Sequence, residues 1–248
     1  MTRRNQWQPV YQRIAEDIRA QVMTGQLGPE AQIATEHELA AKYGVARATV
    51  RQGLMLLVQE GLIVARRPLG YFVRRVDRLD WSAYNFEREG AADAWVADVE
   101  AQGRVPRQEI RVEISEPNEG ISGRLKLSPN TLVVVRRRLR FVDDVPYLIA
   151  DSYYPEPIVQ GSPVANPADI TGGARHILAD LGHKWVTHED EIEGRHPTED
   201  ESRQLNIPPG LSVLVHTRTS SNANGIPSRV MVSVLPVDRW RVLYRVES

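Results

Sequence analysis

No cysteine occurs in the 248 residues, which removes disulfide frameworks, thiolate zinc sites and cysteine nucleophiles together and fits a reducing compartment. No window approaches the roughly 18 apolar residues of a membrane-spanning helix, and the opening MTRRNQWQPVYQ has no apolar core of the signal-peptide kind. The chain therefore reads as cytoplasmic, with no membrane partner. Lysine is scarce as well: Lys42, Lys126 and Lys184 are the only ones, so arginine carries nearly all the positive charge. His176, His183, His188, His196 and His216 show no close ligand spacing, so neither a metal nor another cofactor is expected.

What is present is an ordinary soluble composition, 42% hydrophobic and 25% charged, in a length that suits one large domain or two ordinary ones. The net charge of -1 conceals a split. Residues 1–78 hold 12 Lys+Arg against 7 Asp+Glu, and the remainder 19 against 25. A basic head on an acidic body suggests that the head meets a polyanion while the body does something else.

Along the head, QPVYQRIAEDIRAQVMTG sets Val10, Ile14, Ile18 and Val22 every four residues and stops at Gly25, an amphipathic helix. In TEHELAAKYGV, Thr35 and Glu38 have capping-box spacing, so a second helix is expected from Glu36 to about Tyr43. A third runs from Arg47 to Glu60 and is closed by Gly61. LIVARRPLGYFVRRV then reads as strand, turn and strand. Three helices and a hairpin make a winged helix-turn-helix. At about 100° per residue, Val50, Gly53, Leu54 and Leu57 share one side of the third helix, and Arg47, Ala48, Arg51, Gln52 and Met55 the other. Such a charged face alone is better explained by solvation. The helix-turn-helix spacing, the hairpin and the basic excess together favour DNA.

Residues 79–90 read as a linker, and 91–248 as a second domain. Its elements are a helix over Ala91–Gly103, a series of strand-like runs from QEIRVEIS to SRVMVSVLP, and short helices in GARHILADLG and TEDESRQLNIPPG. The fold class is α+β on an antiparallel sheet, with no internal repeat or low-complexity segment standing out.

The first 73 or so residues resemble the DNA-binding domain of the GntR family of bacterial transcription regulators, through PVYQRIAEDIRAQVMTGQLGP, ATEHELAAKYGVARATVRQGLMLLVQEGLI and ARRPLGYFV. The resemblance implies a dimer on double-stranded operator DNA, with the third helix in the major groove and the wing at the minor groove. It assigns Arg47 and Arg51 to guanine edges and nearby phosphates, Thr49 to phosphate, and Arg66, Arg67 and Gly70 to the wing. Thr35, His37, Ala48 and Gln52 complete the expected DNA-contacting set. The chain departs from the family pattern at Ala46, where a capping Ser or Thr is usual, at His37, where an arginine is common, and at Pro68 in the wing tip.

Residues from about 85 to 245 are similar to the UTRA effector-binding domain of the HutC subfamily, whose fold resembles chorismate lyase. The matching phrases are RRLRFVDDVPYLIADSYYP and EDEIEGRHPTEDESRQLNIPPGLSVLVHTRTSSNANGIPSRVMVSVLPVDRW. The resemblance implies a small, often anionic metabolite as effector. It places Arg138 and Arg140 on one strand face toward that ligand, with Asp151, Ser152 and Tyr154 nearby. Ala150 stands where a carboxylate is common, and Asp151 falls one residue on, on the opposite face of a regular strand. Trp240 is read as core before ligand stacking, and Arg138 with Arg140 has a solvent-facing strand edge as its alternative. The expected function is a ligand-responsive repressor and not an enzyme. A DNA-anchored lyase-like enzyme and a regulator without a small ligand stay open as alternatives.

Overall fold

The computed structural model describes residues 8–75, 78–82, 94–170, 172–208 and 210–243. The chain divides into two compact units between residues 77 and 78, with Ile207–Leu211 grouped with the first.

The first unit follows its hydrophobic periodicity. Helix α1 spans Val10–Met23 and buries Ile14, Ala15 and Ile18. Helix α2, Glu36–Tyr43, begins with a complete capping box. The Glu38 amide donates to Thr35 Oγ1 at 3.2 Å, and the Thr35 amide donates to Glu38 Oε2 at 2.8 Å. It ends at Gly44, whose left-handed φ of 66° turns the chain toward the next helix without a Cβ penalty. Helix α3, Arg47–Gln59, buries Val50, Gly53, Leu54 and Leu57. Its cap residue Ala46 supplies no side-chain hydrogen bond, a deficit of about 1 kcal/mol against Ser or Thr. Strands β1, Ile63–Arg66, and β2, Gly70–Val73, pair antiparallel as the wing, and Ile63 and Val73 join the helical core.

Helices α1 and α3 cross closely because position 53 has no side chain. A Cβ there would lie 2.6 Å from the Tyr11 carbonyl oxygen and 3.3 Å from Ile14 Cβ. A glycine inside a helix costs about 1 kcal/mol of propensity, and here it permits the contact that the core requires.

The second unit is built on a six-stranded antiparallel sheet of order β4-β5-β6-β9-β8-β7. The strands are β4 Pro106–Ser115, β5 Val133–Val142, β6 Val145–Pro155, β7 Thr187–Arg195, β8 Val213–Ser221 and β9 Pro227–Pro236. One face carries two separate apolar clusters. The first gathers Trp95 and Val99 of α4, Ala94–Ala101, with Leu148, Leu235 and Trp240; the second gathers Val134, Tyr154, Leu178 and Trp185, with α6, Glu156–Val159, and α7, Arg175–Asp180. The other face receives Ile121 and Leu125 of α5, Glu119–Leu125, against Val133, Val135 and Val230.

The sheet order exposes an internal duplication that the sequence reading misses. The unit β4-α5-β5-β6 recurs as β7-α8-β8-β9, where α8 is Glu199–Leu205, and the two copies join through β6 and β9. Both short helices follow a side-chain cap, Asn118 or Thr198, and both end on a left-handed non-glycine residue, Lys126 or Asn206. With the register known, the repeat appears at an offset of 80: Pro117/Pro197, Glu119/Glu199, Ser122/Ser202, Leu125/Leu205, Val133/Val213 and Arg138/Arg218. After the longer second hairpin the offset becomes 81, giving Pro146/Pro227, Ser152/Ser233 and Pro155/Pro236. Each helix packs on the other copy's inner strand, α5 on β9 and α8 on β6.

A second correction concerns the linker expected over 79–90. Leu79–Ser82 forms strand β3, paired in parallel with β10, Trp240–Leu243. Alternation puts Leu79 and Trp81 into the first apolar cluster, so this stretch belongs to the second unit's core. Residues 83–90, and the first three residues of the helix expected from Ala91, lie outside the described residues.

Replacing Gly53 with Ala should destabilise the chain by about 1–3 kcal/mol despite the gain in helix propensity, because Tyr11 backbone must move. Thermal unfolding checks this; an unchanged or raised melting temperature would show that α1 can yield at no cost.

Candidate DNA-reading surface and effector face

Helix α3 presents Arg47, Ala48, Arg51, Gln52 and Met55 to solvent, opposite its buried side, and Thr49 is half-buried. Thr35 and His37 lie exposed at the start of α2. Arg66 and Arg67 are exposed at the wing, and Gly70 has a φ of 110° that side chains do not favour. The wing turn contains Pro68 after a cis peptide bond. Between α3 and the wing lies a cleft of about 570 Å³, walled by Gln32, Thr35, Glu36, Arg51, Arg67 and Tyr71.

Arg51, Arg66 and Arg47 each have a partner. Arg51 donates from Nε to Glu36 Oε1 at 2.9 Å and from Nη2 to Glu36 Oε2 at 2.7 Å, a bidentate pair. Arg66 Nη2 lies 2.6 Å from Glu30, and Arg47 Nη2 meets His37 Nδ1 at 3.2 Å. The Arg51 hydrogen bond holds the Glu36 carboxyl below its ordinary pKa. Glu36 escaped the sequence reading, although an acidic residue immediately after a helix cap in a basic surface was a usable signal.

In the second unit, strand register aligns two polar rows across the face between the apolar clusters. One reads Ile110, Arg138, Ala150, Ser233, His216 and Ile192; the next reads Val112, Arg136, Ser152, Met231, Arg218 and Asp190. Arg138 and Arg140 share this face, as alternation requires, and Ser152 joins them, its Oγ 3.4 Å from Arg138 Nη1. Arg140 is buried, with its guanidinium 4.7 Å above the Trp95 ring. Arg136 is fully buried and donates to the carbonyls of Val164, Asn166 and Ala168, so it fastens a loop.

Three expected effector residues lie outside these two rows. Asp151 is on the opposite face, where Arg137 Nη1 reaches it at 2.6 Å; burial raises its pKa and Arg137 only partly offsets this. Tyr154 is 1% exposed within the second apolar cluster. Trp240 sits in the first cluster, donates to the Tyr147 carbonyl at 2.6 Å and stands edge-on to Trp81 at 5.4 Å. All three have been claimed by packing or pairing.

The face also contains a chain of hydrogen bonds that sequence spacing does not show. Trp81 Nε1 donates to His216 Nδ1 at 3.1 Å, and an indole nitrogen can only donate, so that ring nitrogen accepts. The imidazole proton is therefore on Nε2, which donates to Asp190 Oδ1 at 2.8 Å. Arg218 grips the same carboxylate through Nε at 2.6 Å and Nη2 at 2.7 Å. Burial pushes the Asp190 pKa up, but the Arg218 and His216 hydrogen bonds outweigh it and the carboxyl titrates well below its ordinary range.

Residues 101–241 match the UTRA domain model, and residues 10–73 match the model for bacterial regulatory proteins of the gntR family. The HTH-type transcriptional regulator SCO4628 of Streptomyces coelicolor is 30% identical over 229 residues, 88% of this chain and 85% of its own. The HTH-type transcriptional repressor NagR of Bacillus subtilis is 24% identical, covering 95% and 94% of the two chains. A crystal structure of a GntR-family transcriptional regulator superposes with a TM-score of 0.68 at 24% identity, over 97% of this chain and 98% of that one, a likeness of fold.

Because the folded pKa of Asp190 is depressed, its stabilising contribution is present above the ordinary carboxylate range near pH 4 and is lost as pH falls through the lower folded value. Asp190→Asn should lower the melting temperature at neutral pH, by leaving Arg218 buried without its counter-charge, and flatten the acid limb. Melting curves between about pH 3 and 7 check both parts.

Proposed function

Since the chain belongs to the GntR family of bacterial regulatory proteins and carries a UTRA domain, we propose that it is a sequence-specific transcriptional repressor whose hold on operator DNA changes when a small anionic metabolite occupies the Arg138 face. The observation that carries the DNA half is the exposed row Arg47, Ala48, Arg51 and Gln52 on a helix whose opposite side is locked into the core. A guanidinium can donate two parallel hydrogen bonds to guanine O6 and N7, worth about 1–3 kcal/mol of discrimination. The family consists of DNA-binding regulators, and NagR, similar over nearly its whole length, is a repressor. That removes the support for an enzyme.

The effector half rests on Arg138. Its pseudo-symmetric counterpart Arg218 is neutralised by Asp190, whereas the position equivalent to Asp190 in the first copy is Ile110. One copy of the repeat thus offers a charge that the other has cancelled. Two copies of the chain would set two heads on a pseudo-palindromic operator, and a repressor of this kind works on chromosomal DNA in the cytoplasm. The ligand changes DNA affinity only by favouring one arrangement of the pair over another.

Arg47→Ala should lose affinity and base discrimination together in a binding-site selection assay; unchanged base preference would remove Arg47 from readout. Arg138→Ala should leave DNA binding intact and abolish the thermal shift produced by whichever member of a sugar-phosphate and carboxylate panel stabilises the wild type. A panel without any hit would favour control by abundance or by a protein partner.

A further inference from the structure

We propose that Glu36 is a specificity-determining positioning residue, which aims Arg51 at one base edge by gripping the inner side of its guanidinium. The inference rests on the reading of α3 as the DNA-reading helix. The bidentate pair uses Arg51 Nε–H and one Nη2 hydrogen. Nη1 and the remaining Nη2 hydrogen form the outer edge, and that edge matches the spacing of guanine O6 and N7.

The two partners differ in the way such a role requires. The Glu36 side chain is 21% exposed and that of Arg51 62%, so the carboxylate is the seated member and the arginine the projecting one. Glu36 is the first residue of α2, directly after the cap residue Thr35 and inside its closed capping box, where a carboxylate also faces the positive end of the helix. The Tyr71 hydroxyl of the wing strand lies 3.5 Å from Glu36 Oε1. A carboxylate in a phosphate-binding surface repels the backbone, so Glu36 costs general affinity. What it supplies is direction: an unrestrained arginine gives up rotamer entropy on meeting the base, and a held one has given up much of it beforehand. The pair Arg66–Glu30 lacks this asymmetry, since both side chains are nearly half exposed, 43% and 42%.

The test uses the full chain and a random-sequence duplex library. Wild-type selection defines a preferred duplex, and affinities are then measured for that duplex, its single-base variants and random duplex, each as a function of salt. Glu36→Ala should bind random duplex at least as tightly as the wild type, with a steeper salt dependence, because Arg51 is released to phosphate and one negative charge is gone. Its preference at one base position per half-site should fall about fivefold or more. Arg51→Ala should erase preference at that same position, and the double variant should lose no more there than Arg51→Ala alone. Glu36→Gln, which keeps the shape and loses the charge, should fall between the wild type and Glu36→Ala. Retention of the wild-type preference at every position by Glu36→Ala, with a native melting curve, would overturn the proposal. So would an equal loss of affinity for selected and random duplex. A wild type that enriches no sequence would instead overturn the DNA-reading assignment on which the proposal stands.

Discussion

An arginine taken out of water must find acceptors for a rigid fork of donors, and in a chain whose basic residues are all arginine but three this requirement decides which positive charges remain usable. Arg136 is consumed by three loop carbonyls, Arg239 by the carbonyls of Pro146, Leu205 and Asn206, and Arg218 by Asp190. Each of these fastens separate stretches of chain. A buried guanidinium without acceptors would cost several kcal/mol, so these bonds are conditions of the fold. By contrast, Arg51 on the first unit and Arg138 on the second keep part of their forks clear of the hydrogen bonds described above.

The duplicated motif shows how the same requirement creates asymmetry. Two copies of one strand-helix-strand-strand unit place Arg138 and Arg218 at equivalent positions on one face of the sheet. A face with two equal charges would suit a doubly anionic ligand. The acidic residue on edge strand β7 cancels one of them, while edge strand β4 offers Ile110 in its place. The face is therefore polarised: one half is a satisfied network from Trp81 to Arg218, and the other has a half-buried cation, Arg138, within 3.4 Å of the Ser152 hydroxyl.

Local patterns made the first unit readable from sequence. Four-residue spacing located α1, the Thr35–Glu38 pair located α2, the outward set of Arg47 and Arg51 is as the wheel implies, and Ala46, where the family pattern has Ser or Thr, supplies no side-chain cap. The sheet strands were readable as well, to within two or three residues at either end, because alternation and apolar runs are local too. What resisted reading depends on partners far along the chain. Residues 79–82 carry only two apolar side chains and become a strand because β10, some 160 residues later, pairs with them. The repeat was hidden because most copied positions differ and the second hairpin is one residue longer. The resemblance places Tyr154 near a ligand and the sequence reads Trp240 as core before ligand stacking; helices and strands from other parts of the chain bury both.

The network from Trp81 to Arg218 also bears on how a ligand could be felt outside its own face. The chain enters the second unit at Arg78, and three residues later Trp81 is hydrogen-bonded to His216. His216 lies in the same strand row as Arg138 and Ser233. A ligand seated on that row has polar neighbours on both halves of the repeat, and one of them is bonded to the entering strand. Coupling requires that the ligand interact differently with two settings of the protein. In this structure the fully buried imidazole donates from Nε2 to Asp190 and accepts at Nδ1 from Trp81. The strand row that holds Arg138 and the entry strand β3 therefore share one histidine, His216.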